Sequence, residues 1–340
     1  METILTLAHV EPDGSLAKPA LEALAAAKSL QEALDGSSLA VGLAGADDGP
    51  AAFQTGSCGA SRWLGVAGAD FAQPRYGTDA AAAEALARAA GATIVIAPAT
   101  SRWSRCLAGV AQRLNGRVDT HVTGIGLENG TITVARWYYR QRMEASLARI
   151  QRPWFILVDS GCYQPWTGEP QAVSMELVSV TAPTRTTFLK YRAPKADEQT
   201  IRPDADLLFV AGAGWTKKQP DGKTHVEEAG ALILSFLRKT QCSLGSSKSL
   251  VDLGTEGQAV LPFLSHLNQV GQTGSTPRHP KGLATCCHGE EPHVVGWRFV
   301  NERRAVNLDP NCGWARGKAD VLYVADAFEV MAKLNALLAE

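Results

Sequence analysis

The chain has no surplus of charge of either sign: 33 Lys and Arg stand against 34 Asp and Glu, for a net −1 over 340 residues. With no basic excess or Lys/Arg block, neither a nucleic-acid backbone nor an anionic membrane surface finds an electrostatic handle. Long apolar runs are missing too. None approaches the ~18 residues that mark a membrane span, and the opening "METILTLAHV" has neither a basic leader nor a small-residue cleavage site. The seven cysteines, Cys58, Cys106, Cys162, Cys242, Cys286, Cys287 and Cys312, contain no CxxC pair and are odd in number, which argues against a secreted disulfide framework. The expectation is a cytoplasmic protein without export signal or membrane insertion, whose partners are small molecules or other proteins. Short repeats and low-complexity tracts are also lacking.

What is present suffices for ordinary cores. Hydrophobic residues make up 45% and charged ones 20%, and this length predicts two domains of roughly 150 residues each. The first half alternates apolar runs with Ala/Leu-rich helical stretches: "TILTLAHV", "PALEALAAAKSLQEAL", "SLAVGLAG", "AAAAEALARAA", "ATIVIAPAT". Such alternation indicates βαβ units around a parallel sheet. Pro19 suits a first helical turn, Gly36 suits a helix end, and Leu21, Leu24, Ala27 and Leu34 share one apolar face. From 121 to 160 the texture becomes β-rich, and Asn129-Gly130 predicts a tight hairpin turn, so antiparallel strands extend this domain.

The polar stretch 184–205, with Pro194 and Pro203, reads as a linker. Beyond it "ADLLFVAGAGW" is a buried strand with a glycine turn, and a helix follows with Val226, Ala229, Ile233, Phe236 and Leu237 on one side. Further strands and a terminal helix complete a second α/β unit. The fold class is therefore α/β, with two domains built on mainly parallel sheets, 1–200 and 201–340, the second Rossmann-like and doubly wound.

Five places carry candidate chemistry. The run "TCCHGEEPHVVGW", 285–297, gathers potential metal ligands, but neighbouring cysteines on a strand point to opposite faces. His288 and His293 also lack the paired CxxC that a zinc site would add. No base is pinned beside either thiol, so Cys286 and Cys287 read as packing. "GAGW", with Gly212 and Gly214, is a partial dinucleotide fingerprint, and a tight strand-to-helix turn explains it equally. "NQVGQTGSTP" offers Gly271, Gln272, Thr273, Gly274 and Ser275, a loop suited to a diphosphate or a planar heterocycle, or an ordinary surface turn. Asn307 ends a strand, and Asp326 sits at a strand–helix junction as an N-cap or as an acceptor for a sugar or base. Together these outline a crevice at strand ends.

The ordered set "GAGW", "GSSK", "VGQTG", "NLDP" and "VADAFEV", with "APATS" (97–101) and "VTGI" (122–125) in the first half, resembles the α subunit of electron transfer flavoproteins, the FixB-type family, over nearly the whole chain. The resemblance implies a heterodimer in which 201–340 holds FAD and 1–200 contacts a β subunit of the AMP-binding type. A flavin-dependent dehydrogenase supplies electrons, a quinone oxidoreductase accepts them, and no residue acts on an organic substrate. Carried over by position, Ser247, Val270, Gly271, Gln272 and Thr273 surround the flavin and its diphosphate, while Asn307 and Asp326 follow the rest of the cofactor. The 285–297 run takes the place of the family's "GISGAIQH" loop, with Gly289 and His293 retained and His288 in place of a serine. A histidine donor at the ring's pyrimidine edge favours negative charge there.

Three departures bear on redox tuning. Ala213 replaces the arginine of the family's "GRG" turn. Lys248 stands where the family stacks an arginine over the ring, keeping charge but losing the planar guanidinium. The stretch from Lys248 to Val270 is longer than usual. Two other readings compete: an integral flavin subunit of one dedicated dehydrogenase complex, and a flavin-free interaction module of the same fold.

Overall fold

The computed structural model describes residues 1–139, 143–181, 185–191, 201–202, 205–252, 259–270, 278–286, 300–312 and 319–338. They form two compact units, Met1–Tyr191 and Arg192–Glu340.

In the first unit the alternating runs become strands β1 (Thr3–His9), β2 (Ser38–Gly45), β3 (Arg62–Ala67) and β4 (Ile94–Pro98). Helices α1 (Lys18–Ala33), α2 (Gly49–Thr55), the single turn α3 (Ala69–Ala72), α4 (Tyr76–Ala90) and α5 (Ser101–Arg113) join or follow them. Pro19 occupies the first turn of α1, where its missing N–H is no loss. Leu24 and Ala27 are fully buried, with Leu21 and Leu34 packed at the margin. Strands β5 (Arg117–Glu128), β6 (Thr131–Tyr138), β7 (Met143–Ala148), β8 (Trp154–Val158) and β9 (Met175–Leu177) complete one sheet in the order β7-β6-β5-β8-β4-β1-β2-β3-β9. All pairs are parallel except β5–β6 and β6–β7, the predicted antiparallel extension. Asn129 (φ 50°) and Gly130 (φ 77°) make the turn between β5 and β6. Every residue of β4 and β8 is buried, as strands covered on both faces require.

The second unit contains β10 (Leu207–Ala211), α6 (Val226–Thr240), β11 (Ser243–Ser246), the short helix α7 (Lys248–Asp252), β12 (His279–Thr285), β13 (Val300–Asn307), β14 (Val321–Val324) and α8 (Ala327–Leu337). Its five strands are all parallel, in the order β11-β10-β12-β13-β14. By sequence rank this is 2-1-3-4-5, the flavodoxin-like doubly wound order, whose topological switch point lies between β10 and β12. Helices α6 and α8 cover one face, where Ile233, Phe236 and Leu237 meet Phe209, Val306 and Met331.

Candidate functional site

In an open parallel sheet the strand order reverses at the switch point, and the loops leaving the carboxyl ends diverge there to leave a crevice. In the second unit those ends are Ala211, Ser246, Thr285, Asn307 and Val324. The turn after β10 is tied to its neighbour: the Gly212 N–H donates to the Thr285 carbonyl at 2.8 Å, and the Gly214 N–H to the Cys286 carbonyl at 3.1 Å. The turn after β10 does not run straight into a helix. It passes through a 3-10 turn, Ala213–Thr216, and a small loop closed by the Lys218–Thr224 bridge before α6 begins at Val226.

Cys286 also departs from expectation. It lies one residue past β12 with φ 55°, so strand alternation does not govern its direction. Burial, followed by the nearby Asp326 charge, pushes its thiol up to about 12, which suits packing rather than nucleophilic chemistry.

A crevice of about 180 Å³ opens at this edge. Its walls include Gly214, Lys217, Lys218, Gln219, Cys286, Asn307, Asp326 and Phe328. Asn307 is buried at the end of β13, with Oδ1 accepting from the Asp309 N–H at 3.1 Å. Asp326 is the N-cap of α8, its Oδ1 accepting from the N–H of Phe328 at 2.7 Å and of Glu329 at 3.3 Å. Asn307 and Asp326, 19 positions apart, thus share one wall. Gly212 is buried at the end of β10.

The other predicted residues gather at the end of β11. The Ser247 N–H donates to the Ala211 carbonyl at 2.8 Å, and its Oγ accepts from the Leu250 N–H at 3.2 Å, starting α7. Lys248 is half exposed, with Nζ 3.6 Å from Asp252 Oδ2. Val270 is fully buried, and its N–H donates to the Ser246 carbonyl at 3.0 Å. Gly271, Gln272, Thr273, His288, Gly289 and His293 lie outside the described residues.

Two features of this edge suit a polar ligand. The side chains of Ser246 (0% exposed) and Gln269 (6% exposed) are buried with Ser246 Oγ and both Gln269 terminal atoms unpartnered among the described residues. A buried polar atom without a partner costs about 1–3 kcal/mol, which a ligand hydrogen bond relieves. Both residues stand side by side at the end of β11, where Ser246 and Gln269 form an isolated parallel bridge. The residues present therefore fit a ligand with hydrogen-bonding edges.

A larger cavity of about 610 Å³ runs along the sheet face beneath α6 and α8, lined by Leu207, Leu283, Val306, Phe236 and Leu334, with the charges of Lys281, Glu302 and Arg304 at its margin. Size alone does not mark a site. Strand-end polar groups converge at the smaller crevice, and the site is assigned there.

Among the described residues of the first unit four carboxylates are buried, Glu22, Asp48, Asp79 and Asp119, and the last two anchor arginine clusters that the sequence does not announce. Asp79 on α4 receives Arg102 at 2.7 Å and Arg105 at 3.0 Å, and His9 Nε2 stands 3.4 Å away without making a hydrogen bond. Asp119 on β5 receives Arg136, Arg149 and the Trp154 indole at 2.9–3.1 Å. Both join elements distant in sequence.

Fold and crevice together define a doubly wound α/β protein of the kind that receives ligands at its strand ends. Residues 4–184, more than half of the chain, match the electron transfer flavoprotein domain. The chain belongs to this family, whose proteins are electron carriers. No curated protein matches it. Among the described residues no helix is long and apolar enough to cross a membrane.

Proposed function

We propose that this chain is the FAD-binding α subunit of a heterodimeric electron transfer flavoprotein, accepting electrons from a flavin-dependent dehydrogenase and passing them toward a quinone oxidoreductase. The observation that carries the reading is the 2-1-3-4-5 parallel sheet of the second unit, which aligns Gly212, Ser247, Val270, Asn307 and Asp326 along its carboxyl edge. The family membership rests on the other unit, so the two lines of support are independent.

FAD bound there supplies reversible electron storage. The chain's own residues do the rest. Asn307 and Asp326 present an amide and a carboxylate to one end of the cofactor. Ser246 and Gln269 would offer the other end polar atoms that have no partner among the described residues. Lys248 would bring a cation toward the ring, and by the resemblance Gly271, Gln272 and Thr273 would contact the diphosphate and His288, Gly289 and His293 the ring's edge. The first unit docks the β subunit, which carries AMP.

The test is to co-express the chain with its β partner, purify the complex, and record the visible spectrum, the FAD stoichiometry and photoreduction. One FAD per heterodimer, reduced by a dehydrogenase present in catalytic amounts, is expected. A colourless complex overturns the reading in favour of a flavin-free interaction module. Stoichiometric co-purification of one dehydrogenase replaces the mobile carrier with a fixed subunit.

A further inference from the structure

We infer that Lys217 and Lys218 form the cationic clamp for the cofactor's diphosphate, an inference that rests on the flavin reading above. Both side chains line the crevice at the carboxyl edge, together with Asn307 and Asp326. Among the described residues neither lysine has an ion-pair partner, in contrast to Lys248, which is engaged by Asp252. An anion entering the crevice meets both charges without displacing an existing ion pair.

The balance of charge in the crevice favours an anion despite Asp326. That carboxylate accepts two N–H bonds at the positive end of α8, which offset part of its charge, and two lysines outnumber it on the crevice wall. Lys217 and Lys218 remain as the unanswered charges on the crevice wall.

The lysines are also held in place. The Gln219 side chain donates to the carbonyls of Gly214 at 3.1 Å and Lys217 at 2.9 Å. The Gln219 N–H donates to the Lys223 carbonyl and the Gly222 N–H to the Gln219 carbonyl, each at 2.8 Å. This closes the loop from 217 to 224 and fixes its backbone against the turn after β10. Within that turn Ala213 is 2% exposed and packs into the core, so the turn itself contributes no cation. Positive charge reaches the crevice from four and five residues further on.

A diphosphate carries charge on each phosphate, and two ammonium groups lining one crevice, each a compact point charge, can serve one phosphate each. Riboflavin has no phosphate and serves as the neutral comparison. The experiment uses the full chain, stripped of flavin and in complex with its β partner, titrated with FAD and with riboflavin at low and high salt. The variants are Lys217→Ala/Lys218→Ala, the charge-retaining Lys217→Arg/Lys218→Arg, and Lys333→Ala on exposed α8 as a charge control.

The double alanine variant is expected to bind FAD more weakly by roughly tenfold or more, with a shallower salt dependence and unchanged riboflavin affinity. Arginine at both positions restores affinity, and Lys333→Ala changes nothing. Equal FAD affinity and equal salt dependence in the alanine variant and the wild type overturn the clamp while leaving the flavin reading intact. A parallel loss of riboflavin binding also overturns it, because the defect is then structural. Wild-type protein that binds no FAD overturns the flavin reading itself, and the clamp with it.

Discussion

The Gly214 N–H donates to the Cys286 carbonyl at 3.1 Å, and a Cβ on Gly214 would stand 2.7 Å from the Cβ of Cys286. The loops leaving β10 and β12 therefore touch across the switch point with no room for a methyl group. Gly214→Ala is expected to destabilise the second unit by about 1–3 kcal/mol, the usual cost of overpacking. Cys286 has a left-handed φ of 55°, so Cys286→Gly removes both the clashing Cβ and the backbone strain. The double variant Gly214→Ala/Cys286→Gly should recover most of the loss. Urea unfolding of the three variants checks this, and additive losses in the double variant would contradict the contact.

A second prediction concerns pH. Burial depresses the His9 pKa from 6.5 to about 4, with the Asp79 carboxylate working against it and the Arg102 charge with it. The unfolded chain therefore binds a proton between these values that the folded chain refuses. His9's contribution favours folding fully above pH 6.5 and diminishes as pH falls toward about 4, by on the order of 3 kcal/mol in total. The ring stacks on Trp103 with centroids 3.6 Å apart, so His9→Phe keeps the stack and removes the titration. Unfolding free energies measured across this window should fall more steeply in the wild type than in His9→Phe. Parallel curves would show that His9 does not titrate as inferred.

These two sites show where sequence was informative and where it was not. Apolar runs such as Ile94–Pro98 and Trp154–Val158 are legible as buried parallel strands, because a strand covered on both faces needs no polar alternation. Asn129-Gly130 announces its own turn, and Asp326 its own cap, since these are local effects of backbone and side-chain chemistry. The strand Met175–Leu177 has no such signal. Three residues carry no periodicity, and pairing with β3 alone makes them a strand.

The site divides along the same line. Asn307 and Asp326 could be placed at strand ends because the strands themselves were readable. Lys217 and Lys218 form no motif in the sequence, and only the closure of the loop by Gln219 and the Lys218–Thr224 bridge puts them on the crevice wall. The helix that begins at Val226 was legible from its apolar face, whereas the loop between it and "GAGW" was not: glycine spacing reports local freedom and cannot show that a closed loop intervenes.

Asp119 supports a third prediction, on the antiparallel extension. Its carboxylate is 1% exposed and accepts from Arg149, Trp154 and Arg136, joining β5 to β8, β6 and the end of β7. Burial raises its pKa, and bonds from Arg149 and Trp154 more than reverse this, leaving it below the ordinary Asp value. Asp119→Ala leaves two arginines and an indole N–H facing no acceptor, at an expected cost of about 2–3 kcal/mol because Arg136 and Arg149 are partly exposed and recover some hydration. Hydrogen exchange should quicken first in β6 and β7, while β1 and β2 stay protected. Uniform protection across the sheet would show that the carboxylate does not anchor the extension.

The last prediction turns on Lys248 and belongs to the proposed flavin site. Its Nζ lies 3.6 Å from Asp252 Oδ2 at the first turn of α7, and its side chain is 47% exposed. An ammonium in this position is strongly hydrated and attracted to a carboxylate one helical turn away, so it offers a ring system only a screened point charge. A guanidinium keeps the charge, is less strongly hydrated, and can lie flat against an aromatic face while still reaching Asp252. Lys248→Arg should therefore raise the flavin's reduction potential, because reduction adds negative charge to the ring and the better-placed cation favours the reduced form. The expected shift is on the order of tens of millivolts, about 59 mV corresponding to a tenfold change for one electron. Spectroelectrochemical titration of wild type and Lys248→Arg at matched FAD content decides it. Lys248→Met should move the potential the other way, and identical potentials in all three proteins would place Lys248 away from the ring.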